Sequence, residues 1–128
     1  MKQIIIPATI DTKGEEVQYL KELIEKNGCS AIVIDCSLRI GGRRNADIQV
    51  EELLNDIDAD CLQFGKLEKE EAIRIMQHAL THKLNELLHS KKVDGVISLG
   101  GVQGTVIATA AMQQLPIGLP KFMVSTVA

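Results

Sequence analysis

Apolar residues arrive along this chain in short blocks, and the spacing within each block separates strands from helices. "QIIIPA" at 3–8 is a continuous apolar run too short for a helix and reads as a buried strand. The polar "TIDTK" after it is expected to be a loop. "GEEVQYLKELIEKNG" then places Val17, Leu20, Leu23 and Ile24 at helical spacing, with Glu15 and Glu16 where a helix start favours negative charge and Gly28 positioned to end it. "AIVIDC" at 31–36 is a second strand. Strand, helix and strand in this order predict parallel pairing through a right-handed crossover.

The next stretch, "SLRIGGRRNADI" at 37–48, is expected to be a loop, with Asp47 capping a short helix over 49–56, while 57–65 have no clear pattern. A long helix is expected over 67–91, with Ile73, Met76, Leu80, Leu84 and Leu87 as its buried stripe. "DGVISLG" at 94–100 reads as a third strand and "KFMVSTV" at 121–127 as a fourth. Between them, "GTVIATAAMQQ" at 104–114 is helical in composition but apolar nearly all round, so it is expected to be buried on several sides. The order predicts an α/β fold: a Rossmann-like open, mostly parallel sheet with helices on both faces.

Composition narrows this picture. At 128 residues the chain is one domain's worth. Only 2% of residues are aromatic, so the core must be built from Ile, Val, Leu, Ala and Met. A formal net charge of −3 excludes a general attraction to nucleic acid or to an anionic membrane surface. Residues 95–120 carry no charge, but their glycines, glutamines and prolines argue for a buried strand, loop and helix rather than a membrane span. The first apolar run is too short for a secretory signal, and Cys29, Cys36 and Cys61 lack metal-type spacing, so a reduced, cytoplasmic setting is expected. The chain stops after its last strand, where such a fold turns into another helix, so a longer polypeptide is expected.

Candidate chemistry falls on the loops at the carboxyl ends of the strands, where open α/β sheets hold ligands. "SLGGVQGT" is the strongest. Gly100 and Gly101 let backbone approach a ligand, and Gly104 and Thr105 are expected to start a helix whose free amides attract anions, so phosphate is expected on the amides of 101–105, Gln103 included. The alternative is a tight turn with a closely packed helix. In "TIDTKG", Thr9, Thr12 and Lys13 put two hydroxyls and an ammonium beside Gly14 at the mouth of the first helix, and Asp11 can cap the helix, hold Mg²⁺ or accept a ribose hydroxyl. Asp35, at the end of the second strand, stands where Rossmann-type domains hold a ribose. Arg39, Arg43 and Arg44 either grip phosphate or form a solvated surface. His78, His82 and His89 project to one outward face without a completing ligand, and Ser98 and Ser125 lack a partner base, so no catalytic constellation is legible.

Three stretches together, "TIDTKGEEVQYLKELI", "IVIDC" and "DGVISLGGVQGTVIATAAMQQLPIGLPKFMVSTVA", resemble the Tm-1-like ATP-binding domain family. The resemblance implies ATP as ligand, homodimers, and a barrel-like C-terminal domain in a longer protein; on the reading of the residues, ribose or Mg²⁺ is expected to meet Asp11 or Asp35. The family's D-T-K-G falls on Asp11, Thr12, Lys13 and Gly14, its glycine loop on Gly100, Gly101, Gly104 and Thr105, and its final motif on Ser125 and Thr126. Val102 and Gln103 depart from the small residues that relatives carry there. Two other classes stay open: an NAD-kinase-like phosphotransferase, against which the missing loop carboxylate counts, and a dimerisation module using the uncharged 95–120 segment.

Overall fold

The computed structural model describes residues 1–90 and 93–126. Its elements are β1 (Gln3–Ala8), α1 (Ile10–Lys26), β2 (Ser30–Asp35), α2 (Val50–Asp56), α3 (Cys61–Phe64), α4 (Lys69–His89), β3 (Gly95–Gly100), α5 (Val102–Met112) and β4 (Lys121–Ser125). The strands form one parallel sheet in the order β2-β1-β3-β4. Period-two alternation divides the core. Ile6, Ala8 and Val33 point to α1, packing with Ile10 and Val17, while Ile5, Ile34 and Val96 point to the other face, where α2, α4 and α5 lie. The connections β1→β2 and β3→β4 step to opposite sides, and their helices lie on opposite faces, as right-handed crossovers require. The Rossmann-like expectation therefore holds.

Several boundaries differ from the sequence reading, each for a local reason. The "TIDTK" segment is the first turn of α1, not a loop: the Thr9 carbonyl accepts the amides of Thr12 (3.1 Å) and Lys13 (2.9 Å), and the helix kinks at Lys13. α5 starts at Val102 rather than Gly104, with Gly101 as its N-cap. Asp47 does not cap α2, whose N-cap is Gln49; its carboxylate accepts the Val33 amide at 2.8 Å and ties the returning chain to β2. The patternless stretch holds α3, whose N-cap Asp60 accepts the amide of Leu62 at 2.8 Å. Gly28 ends α1 as expected, with φ at +85°. The expected ends of the long helix at residue 91 and of the last strand at 127 lie outside the described residues.

One feature of the sheet shapes what lies above it. Pro7 stands in the central strand β1 at a position facing β3, where it has no N–H to give. The β1–β3 register accordingly holds only at Ile4 and Ile5, whereas β1 pairs with β2 along all of Gln3–Ala8. The Pro7 carbonyl is satisfied by the buried Ser98 hydroxyl, which donates to it at 2.5 Å. Toward their carboxyl ends, β1 and β3 are joined by a side chain rather than a ladder.

Candidate functional site

The chain turns from one side of β1 to the other between β2 and β3, so the crevice above β1 and β3 is the topological switch point. A cavity of about 350 Å³ opens there, lined by Thr9, Asp11, Thr12, Lys13, Lys69, Gly101, Val102, Gln103 and Gly104. The two loops singled out in the sequence thus meet, joined by Lys69 from the start of α4. Lys13 and Lys69 outnumber Asp11, the one carboxylate on this lining.

Two helices begin at this crevice, and their free amides are in different states. Those of α1 are committed: Ile10 donates to Asp35 Oδ1 at 3.3 Å and Asp11 to Ser37 Oγ at 3.2 Å. In α5 the first intrahelical bond is Thr105 N–H to the Gly101 carbonyl at 3.0 Å, so among the described residues the amides of Val102, Gln103 and Gly104, all on the cavity lining, have no hydrogen-bond partner. An anion is therefore favoured at α5 more than at α1.

The glycines divide by task. A Cβ on Gly100 would come within 3.1 Å of the Gly104 Cα, so this buried glycine lets the first turn of α5 close over β3 and is not on the cavity lining. Among the described residues, a Cβ on Gly101 would meet only Thr126 Oγ1, at 4.0 Å, so this glycine leaves room at the cavity. Gly104 abuts Thr9, with 3.4 Å from its virtual Cβ to the Thr9 hydroxyl, which brings α5 and the start of α1 together.

Asp11, Thr12, Lys13, Gly101, Gln103 and Gly104 are thus brought together on one lining. Gly14, Asp35, Gly100, Thr105, Ser125 and Thr126 are not part of it. Thr105 donates to Ser125 Oγ at 3.2 Å, and the Thr126 amide donates to the Gly100 carbonyl at 2.9 Å, so these residues tie the end of β4 to the glycine loop. Asp35 is wholly buried: its carboxylate takes the Ser37 amide and hydroxyl, the Ile10 amide and, at 3.1 Å, the Arg44 guanidinium. It serves as a non-local cap for α1 instead of facing a ribose. Cys36 beside it is also buried, and desolvation, reinforced by the Asp35 charge, pushes its thiol far above the ordinary range, so it is a core residue.

Thr9 and Val102, within the two loops read from the sequence, lie on the lining as well; Lys69 was missed, as was a second cavity next door. That cavity, about 400 Å³, shares Asp11, Thr12, Lys69 and Gln103 with the first and adds Leu38, Arg39, Phe64, Gly65, Leu67 and Ala72. Elsewhere, His82 lies with Asp56 and Glu86 in a group whose ligand atoms are within 4.8 Å, carboxylates that its sequence spacing did not foresee. The Lys83 ammonium already pairs with Asp56 at 2.5 Å and Glu86 at 3.5 Å, so this is an ion-pair cluster. His78, His82 and His89 are exposed, as expected. Among the described residues, no helix is long and apolar enough to cross a membrane.

Comparison with known proteins agrees with this architecture. The chain is similar to a crystal structure of Acinetobacter baumannii MurG at a TM-score of 0.55 and 17% identity, covering 98% of this chain and 34% of that one, a likeness of fold alone. It is 38% identical over 130 residues to a UPF0261 protein of Clostridium tetani, and 38% identical over 133 residues to one of Rhizobium meliloti. These matches cover 99% and 100% of this chain but 32% and 31% of those proteins, so the chain spans about a third of their length. The tomato "ToMV susceptible protein tm-1(GCR26)" is 45% identical over 58 residues, 45% of this chain and 8% of that protein. The "Uncharacterised protein family (UPF0261) N-terminal domain" matches residues 2–128, and the chain belongs to that family.

Proposed function

We propose that this domain binds a nucleotide, ATP with Mg²⁺, through its phosphates at the switch-point cavity. The observation that carries the reading is the contrast between the two helix starts: the α1 amides are taken by Asp35 and Ser37, while the α5 amides, without partners among the described residues, belong to residues that line a cavity together with Lys13 and Lys69. The phosphates lie on the amides of Val102, Gln103 and Gly104. Among the described residues, Lys13 is held only by Glu16, at 3.7 Å and itself exposed, a weak tie that a phosphate displaces readily. Mg²⁺ bridging phosphates needs one or two carboxylates, and Asp11 supplies one.

Calorimetric titration with ATP and ADP, with and without Mg²⁺, tests this. Gly101→Val has space to fold and places bulk at the phosphate position, so it is expected to weaken ATP binding at least tenfold with the melting temperature unchanged. A folded wild-type domain that binds neither nucleotide, or a variant that binds as the wild type does, overturns the reading.

A further inference from the structure

The two faces of the sheet are covered unequally. Helices α2, α4 and α5 lie on one side, and among the described residues α1 is the only helix on the other, resting on β2, β1 and the near side of β3. Beyond α1 that face continues bare. Met123 turns to the α5 side and packs with the core there, so Phe122 and Val124, its neighbours along β4, turn to the α1 side, where they are 66% and 51% exposed. The register sets Phe122 beside Ile97 and Val124 beside Leu99, two residues that pack with the α1 core. Leu99 also lines a groove of about 430 Å³ with Glu15, Glu16, Tyr19, Leu20 and Leu23 of α1. Tyr19 and Leu23 are 66% and 39% exposed. Large apolar side chains left open on one continuous face mark a docking surface, since strands of a parallel sheet are ordinarily buried on both sides.

We infer that this face seats an apolar helix from the part of the family's chain that lies outside this domain. The longer relatives hold about two thirds of their length there, and the matching family domain is the N-terminal one. A helix is the element that covers parallel sheets. Its apolar stripe packs on Leu99, Phe122 and Val124. A Lys or Arg on its flank meets Glu15, which has no ion-pair partner among the described residues. The groove shares no residue with the switch-point cavity, so this docking is independent of the nucleotide reading.

The test uses the chain with methyl-labelled leucine and valine and, unlabelled, the part of the Clostridium tetani protein outside the matched third. On mixing, or in a fusion of the two, the Leu23, Leu99 and Val124 methyl signals are expected to shift and to lose their sensitivity to a soluble paramagnetic agent. Phe122→Asp and Val124→Asp, at positions exposed in the chain alone, are expected to leave its melting temperature unchanged and to restore that sensitivity. Sedimentation of the chain alone at several concentrations is expected to give a monomer. Methyls that stay accessible in both the mixture and the fusion overturn the docking, as does protection that survives both substitutions. A dimer of the chain alone that Phe122→Asp dissociates gives the face to a second copy and overturns it as well.

Discussion

At the scale of single residues, the glycine loop separates packing from binding. Gly100 and Gly101 are adjacent and look alike in sequence, yet one is closed in by backbone and the other faces open space. Gly100→Ala forces its Cβ against the Gly104 backbone at 3.1 Å, and backbone cannot swing aside as a side chain can. Chemical denaturation is expected to show Gly100→Ala destabilised by about 1–3 kcal/mol, the usual range for overpacking a tight site. Gly101→Val is expected to lose ligand without losing stability. Equal stability losses in the two variants would remove the distinction. Asp35 makes the same point with a charged group. Its position at a strand end suggests a ribose ligand, but Arg44, Ser37 and the Ile10 amide occupy its carboxylate.

At the scale of elements, α2 and α4 are joined by a buried cation. Burial disfavours the Lys83 ammonium, but Asp56, Glu52 and Glu86, at 2.5, 3.3 and 3.5 Å, outweigh that and raise its pKa above the ordinary 10.5. A group that holds its proton more tightly when folded stabilises the fold fully below its unfolded pKa and loses that contribution as pH rises through the folded value. Denaturant melts against pH are therefore expected to show wild-type stability falling above about pH 10, near the model-peptide lysine value. Lys83→Met is expected to be less stable at pH 7 and to lack that component of the alkaline fall. Identical alkaline profiles would refute the assignment. Helix and strand types were legible at this scale because periodicity is a local signal. The starts of α1 and α5 were not, since the caps that define α1 come from Asp35 and Ser37, some 25 residues along the chain.

At the scale of the whole molecule, the β1–β3 ladder stops at Ile5, below the crevice. Pro7 ends the ladder and Ser98 substitutes one side-chain bond for it. Ser98→Ala leaves a buried carbonyl without a partner, and equilibrium unfolding is expected to register a loss of about 1–3 kcal/mol. A neutral result would mean that the Pro7 carbonyl finds another donor. By itself the sequence determined the number and type of strands, the two-sided burial, the parallel order and the two loops that meet at the switch point. All of these follow from short-range spacing, chain chirality and the entropy cost of glycine. Tertiary structure alone decided which helix start, among the described residues, keeps its amides unpartnered, that Asp35 is spent inside the fold, and that Lys69 joins the lining of the crevice. Those outcomes depend on which distant groups pack together, and a buried donor or charge takes the partner that the fold places beside it.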